Sequence, residues 1–182
     1  QLYLNNPSRA FLEKYKDLVF ATADFMASFA FYEKDRIRYI LGKGVIAAQE
    51  RFKPEDSFNP TYELVYWHWA LSIAQKWRLR LQLNRNTIWA NVIKKLSNPI
   101  IVDGKYLFAE SAPDSYSHPN YRTDHPSVLG ALGMLPKTPM IDKRIMKTTL
   151  LWIWKNWNWE DTWGWDFPMV AMIASRLGMN NM

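Results

Sequence analysis

Trp157–Asn158–Trp159–Glu160–Asp161–Thr162–Trp163–Gly164–Trp165–Asp166–Phe167–Pro168 holds four of the chain's ten tryptophans and three carboxylates within twelve residues. A buried core segment favours Leu, Ile and Val, and three carboxylates without partners are very costly to bury. An exposed loop has no use for so many indoles, which promote association. Aromatic faces beside carboxylates suit a sugar: the rings stack against C–H groups and the acids accept hydrogen bonds from hydroxyls. A Trp-rich junction whose acids cap helices accounts for the stretch equally well.

Outward from this stretch the chain reads as helices. Phe167–Pro168 opens a last helix, Met169–Leu177, apolar nearly all round and closed by Gly178 as its C′ residue. Upstream, Thr138–Pro139 predicts the start of a helix with Ile141, Ile145, Thr149 and Trp152 on one side and Lys143, Arg144 and Lys147 on the other. Asp124–His125–Pro126 opens a short helix that is apolar at Val128, Leu129, Ala131, Leu132 and Met134, with Asp124 available as its N-cap. Ile100–Ile101–Val102, Asp103–Gly104 and Tyr106–Leu107–Phe108 form a hairpin signal, since Asp-Gly suits a type I′ turn.

The first half follows the same grammar. Asn6–Pro7 predicts a cap and first turn for a long amphipathic helix to about Phe31, apolar at Phe11, Leu12, Tyr15, Leu18, Val19, Met26 and Phe29. Arg38–Leu41 has strand character, and Gly42 and Gly44 break the chain. Asn59–Pro60 predicts the start of a helix through Trp77 that is apolar nearly all round, hence buried on both sides, with Glu63 and His68 as its exceptions. His68 reads as a satisfied core histidine. Asn86 caps a shorter helix with Lys94 and Lys95 on its wet side.

Amphipathic helices thus alternate with helices buried on both faces, a pattern that fits two concentric helical rings. Three irregular, acid-rich segments, 47–59, 110–125 and 157–167, each run into an inner helix. All three are therefore expected at the N-terminal ends of the inner helices, where the helix dipole favours carboxylates and anionic groups.

Composition narrows the classes. The 182 residues suffice for one domain with a sizeable core. Hydrophobic content is 48% and mean hydropathy −0.30, and no apolar run reaches the ~18–20 residues of a membrane span. The net charge of +6 is spread along the chain without a block of five like charges, which argues against nucleic acid as a partner. There is no cysteine, so disulfides and thiolate metal sites are excluded and the compartment stays open. No signature calls for a metal or another cofactor.

Ala47–Ala48–Gln49–Glu50, Asn59–Pro60–Thr61–Tyr62–Glu63–Leu64, Asp124–His125–Pro126–Ser127 and Trp157–Pro168 together resemble the six-hairpin (α/α) toroid glycosidases. The likeness is to the bacterial glycoside hydrolase family 65-like group, related to the maltose phosphorylases and the α-L-fucosidases. The resemblance covers nearly the whole chain, and its last stretch is the most specific. It implies an all-α fold that is part of an (α/α) six-hairpin toroid, with about six helices, roughly three hairpins of the ring, and a small β-hairpin. Residues 1–182 would be a partial catalytic domain, a fragment of a longer chain whose remainder completes the toroid. A periplasmic or secreted setting is the corresponding expectation.

In the maltose phosphorylases a Gly-Pro-Asp-Glu-Tyr-type loop before an inner helix carries the general acid. Glu50 occupies that place here, although Ala47–Ala48–Gln49 replaces Gly-Pro-Asp, and Glu63 is the second candidate. The resemblance implies sugar-hydroxyl contacts for Asp124 and His125. Trp163 and Trp165 would form the stacking wall, and Trp67, Glu110, Glu160, Asp161 and Asp166 are the remaining substrate-binding candidates. The general base of the relatives lies beyond the segment matching Thr162–Gly178, outside this chain. The function implied is an inverting glycoside hydrolase acting on an oligo- or polysaccharide. A non-catalytic carbohydrate-binding or degenerate toroid domain is the alternative. Lysine and arginine form no compact phosphate site, so hydrolysis leads over phosphorolysis.

Overall fold

Ser8, with its extended backbone and a hydroxyl that accepts the N–H of Phe11, starts the first long helix. The computed structural model describes residues 2–5, 7–42 and 44–179. A single turn, α1 (Leu2–Asn5), precedes α2 (Arg9–Phe29). Asn6, the expected cap, lies outside the described residues, and Ser8 fills that role. The helix ends before Phe31 because Ala30 turns extended and begins β1 (Ala30–Glu33), which pairs with β2 (Arg38–Leu41). Tyr15 and Leu18, expected on the buried stripe, are exposed.

The remaining elements are α3 (Thr61–Arg80), α4 (Thr87–Lys95), β3 (Ile101–Val102), β4 (Lys105–Tyr106), α5 (Gly130–Gly133), α6 (Lys143–Asn156) and α7 (Asp166–Arg176). The described residues are therefore mostly helical, with seven α-helices and small two-stranded hairpins. No helix among them is long and apolar enough to cross a membrane. Contacts divide the chain into two units: Gln1–Tyr39 with Trp67–Leu96, and Ile40–Tyr66 with Ser97–Met182.

The first unit packs helix on helix through aromatic and aliphatic side chains. Leu12, Trp77 and Leu81 form a buried cluster joined by Phe11, Phe20 and Ile73. Trp89 is 1% exposed and its indole N–H donates to Asp24 Oδ1 at 2.8 Å. Asn86 caps α4 as its sequence predicts, accepting the N–H groups of Ile88 and Trp89. His68 is not a satisfied core histidine: its buried Nδ1 has no partner among the described residues, and burial lowers its pKa.

In the second unit the Asp103–Gly104 turn has both residues at positive φ, 49° and 70°, as a type I′ hairpin requires. Thr149 of α6 is fully buried and accepts the N–H of Tyr106 at 3.0 Å, which ties the hairpin to the helix. Helices α5 and α7 approach closely at Gly133, where a Cβ would sit 3.0 Å from the Met169 carbonyl oxygen. Gly178, at φ +72°, ends α7 as expected.

Four sequence expectations need correction here. Helix α6 starts at Lys143, not at Thr138–Pro139, because Asp142 accepts the N–H groups of Arg144 and Ile145. The segment after Pro126 is a 3₁₀ turn, Ser127–Leu129, followed by the single turn α5, rather than one continuous helix. Asn59 does not cap α3: it sits at φ 48° and its Oδ1 accepts the N–H of Leu41 instead. Finally, α7 exposes Phe167 and Met172, so it is not buried all round.

Candidate functional site

The segment from Ala47 to Arg51 has no regular hydrogen-bond ladder, and side chains from distant parts of the second unit supply its partners. The N–H of Ala48 donates to Glu63 Oε1 at 2.6 Å, and the N–H of Glu50 donates to Asp124 Oδ2 at 2.6 Å. Between them Gln49 is fully buried and donates from Nε2 to the Tyr121 carbonyl at 2.8 Å. Arg51 then donates from Nε to Thr123 Oγ1 at 3.1 Å and pairs with Asp161 Oδ2 at 2.7 Å. Alternate amides are thus gripped by two buried carboxylates, and the Glu50 side chain is left exposed.

Asp124 is the hinge of this arrangement. It is 6% exposed and takes a left-handed backbone, φ 66°, which Asp tolerates better than most residues. It caps no helix. Its N–H donates to the Asp161 carbonyl at 2.7 Å, its own carbonyl accepts the Trp157 indole N–H at 3.3 Å, and Thr162 Oγ1 lies 2.9 Å from that carbonyl, its one proton shared between it and Asp166. The loop before Ser127 and the Trp-rich stretch are therefore stitched together at one residue.

His125 lies between two carboxylates. Its Nδ1 is 3.0 Å from Asp166 Oδ2 and its Nε2 is 3.4 Å from Asp124 Oδ1. Nδ1 and Asp166 take one proton between them, since a carboxylate and a bare ring nitrogen both only accept. Asp166, fully buried, also accepts the Thr162 hydroxyl at 2.6 Å and the Trp163 N–H at 3.0 Å. The imidazole is flanked by the indoles of Trp165, centroids 4.3 Å apart, and Trp163, 5.8 Å apart. Trp163 and Trp165 are 59% and 41% exposed, so both offer ring surface to a ligand.

Glu63 differs from the other acids. Burial pushes its pKa up to about 7, against the opposing pull of the Ala48 N–H. Its Oε2 is buried without a partner among the described residues.

The structure brings together Glu50, Glu63, Asp124, His125, Asp161, Trp163, Trp165 and Asp166 through the contacts above. Three expected sugar contacts have other employment. Asp166 is closed off from solvent and positions His125, Thr162 and Trp163. Glu110 accepts from Asn59 Nδ2 at 2.7 Å and so fixes the entry to α3. Trp67 belongs to the first unit, where its indole donates to the Met26 carbonyl at 2.9 Å and its ring lies 5.7 Å from Phe29. Glu160 is exposed on the 3₁₀ turn Trp159–Asp161.

Gln49, Arg51 and Thr162 were missed as parts of the site. For Thr162 the four-residue step to Asp166 was a usable signal, while the partners of Gln49 and Arg51 lie 72 or more positions away. Chemically, the assembly offers the exposed Glu50 carboxylate on a hydrogen-bonded loop, an imidazole held between acids, and two open indole faces. No family model matches the chain, and no curated protein sequence is significantly similar to it.

Proposed function

We propose that the chain is part of an (α/α) toroid glycosidase and cleaves a glycosidic bond with inversion, Glu50 protonating the leaving oxygen. The observation that carries this reading is the pinning of Glu50. Its amide is fixed by buried Asp124, its carboxylate is free to meet a substrate, and the neighbouring loop presents Trp163 and Trp165. A general acid is useful only when held in place, and positioned proton transfer contributes ~10²–10⁴-fold to rate. Asp124 and His125, 6% and 4% exposed, hold the loops in place rather than meeting the sugar, and the two exposed indoles are suited to stack on its ring.

A second reading, sugar binding without turnover, draws support from the use of the other acids. Asp124 and Asp166 serve buried donors, and Asp161 is paired with Arg51. An inverting enzyme needs a second carboxylate, ~6.5–9.5 Å from the first, to activate water. On the first reading that base comes from another part of the parent protein.

Glu50→Gln separates the two. The amide keeps the size and exposure of the side chain but cannot donate an acidic proton. On a glycoside that the parent protein hydrolyses, turnover is expected to fall by ~10²-fold or more while calorimetric affinity for the sugar stays the same. Unchanged turnover removes Glu50 from the mechanism. Sugar binding with no turnover on any glycoside leaves the binding reading.

A further inference from the structure

A second feature of the same unit is a polar pocket of about 340 Å³ beside the Glu50 loop, within the range of small-molecule sites. Arg51, Lys53, Asp56, Ser57, His118 and Tyr121 are among its walls. Ser57 is 2% exposed, and its hydroxyl oxygen has no hydrogen-bond partner among the described residues. Buried hydroxyls are normally satisfied; this one lies behind the pocket wall, closed to solvent.

The donors of the pocket suit an anion. Arg51 uses Nε and one terminal nitrogen on Thr123 and Asp161, leaving further N–H groups of its five. Lys53 is exposed at the same wall. His118 Nδ1 accepts the N–H of Asn120 at 3.2 Å, so in the neutral ring the proton is on Nε2, a donor. The Tyr121 phenol stays protonated, since burial and the charges of Asp114 and Asp56 all raise its pKa.

Its ring, however, is not open for stacking. Tyr121 lies 4.8 Å from Phe52 and 4.6 Å from His118, centroid to centroid. This pocket therefore recognises polar substituents, in contrast to the exposed indoles of Trp163 and Trp165. Arg51, already paired with Asp161, and the exposed Lys53 share the pocket with one carboxylate, Asp56. A sugar acid can give its hydroxyls to Asp56 and its charged group to Lys53 and Arg51, whereas a bare inorganic anion leaves Asp56 without a donor.

We infer that this pocket is a subsite for an anionic saccharide unit, a sugar ring bearing a carboxylate or a sulfate. The inference rests on the sugar-directed reading above and names the substrate class: an acidic oligo- or polysaccharide whose charged unit sits next to the bond at Glu50.

The test is calorimetric titration of the full chain at low ionic strength with methyl glucuronide, methyl glucoside and sodium sulfate as separate probes. Methyl glucuronide is expected to bind about tenfold or more tightly than methyl glucoside, as a charge-assisted contact gives. Lys53→Met, at an exposed position, is expected to abolish most of that preference. Equal affinity for the two sugars overturns the subsite, as does sulfate binding as tightly as the glucuronide. Loss of the preference beside intact Glu50-dependent turnover overturns the subsite and spares the cleavage reading. A preference without turnover on any glycoside upholds the subsite and defeats cleavage.

Discussion

The two units of the chain spend their interiors differently. Among the described residues, Gln75 is the sole buried polar side chain of the first unit, and it serves the start of α4 by accepting the Asn86 N–H and donating to the Asn86 carbonyl. The second unit buries Glu63, Asp124, His125 and Asp166 together with Gln49, Ser57, Asn59 and Thr61. Apolar packing needs no partner geometry and tolerates repacking. Buried polar groups are stabilising only when each finds its partner, so they fix one arrangement of the loops that carry them. A unit that holds irregular loops with buried carboxylates holds something that must stay in register, and Glu50 is the exposed group so held.

The largest expected effect tests that contrast directly. Asp166→Ala leaves His125 Nδ1 and the Trp163 N–H without their acceptor and takes from the Thr162 hydroxyl the nearer of its two, leaving the Asp124 carbonyl. Loss of one partner from a buried charged network costs about 3–5 kcal/mol. Leu12→Ala in the first unit opens a cavity instead, at about 2–5 kcal/mol. The difference to look for is in sugar binding. Urea unfolding and titration together are expected to find Asp166→Ala both destabilised and deprived of binding, and Leu12→Ala destabilised with binding kept in the folded fraction. A cost below about 1 kcal/mol for Asp166→Ala would mean the buried acids hold nothing.

The next effect depends on pH. Folded Glu63 keeps its proton to about pH 7, whereas its ordinary value is 4.5. Between those values the unfolded chain binds fewer protons than the native one, so stability falls as pH rises. The contribution is fully present below about 4.5 and lost above about 7, amounting to about 3 kcal/mol at ~1.4 kcal/mol per unit. Glu63→Gln keeps an acceptor for the Ala48 N–H and removes the titration. Urea unfolding at pH 5 and pH 8 is expected to give the parent a loss of about 2–3 kcal/mol relative to the variant. Parallel behaviour of the two proteins would place Glu63 in a wetter, more adaptable site.

How much of this was legible follows from the range of the interactions. Asn86, Asp103–Gly104 and Gly178 act on residues within a few positions, and their roles can be read from the sequence. Thr138–Pro139 was a local signal too, but Asp142 outcompeted it by supplying a carboxylate to two amides. The acid-rich segments were visible as compositional anomalies, and three of them do meet in the second unit. Which acid contacts what was hidden, because Glu50 meets Asp124 across 74 residues and Arg51 meets Asp161 across 110. Periodicity carries no information about such pairs. It also ran on past Phe29 and so concealed β1.

The smallest stability effect is expected where binding should suffer most visibly. Trp163 is 59% exposed, and its ring touches the site chiefly through His125. Its backbone N–H, not its indole, is what Asp166 holds. Trp163→Ala therefore keeps the buried network and removes only the stacking face, so unfolding stability is expected to change by no more than about 0.5 kcal/mol. Sugar affinity, by contrast, is expected to fall about tenfold, the scale of one lost aromatic contact. The pairing of a silent stability change with a clear binding loss is the signature of a side chain kept for a ligand. A variant that loses stability and binding in proportion would instead make Trp163 part of the scaffold, and the polar interior of the second unit would then serve folding alone.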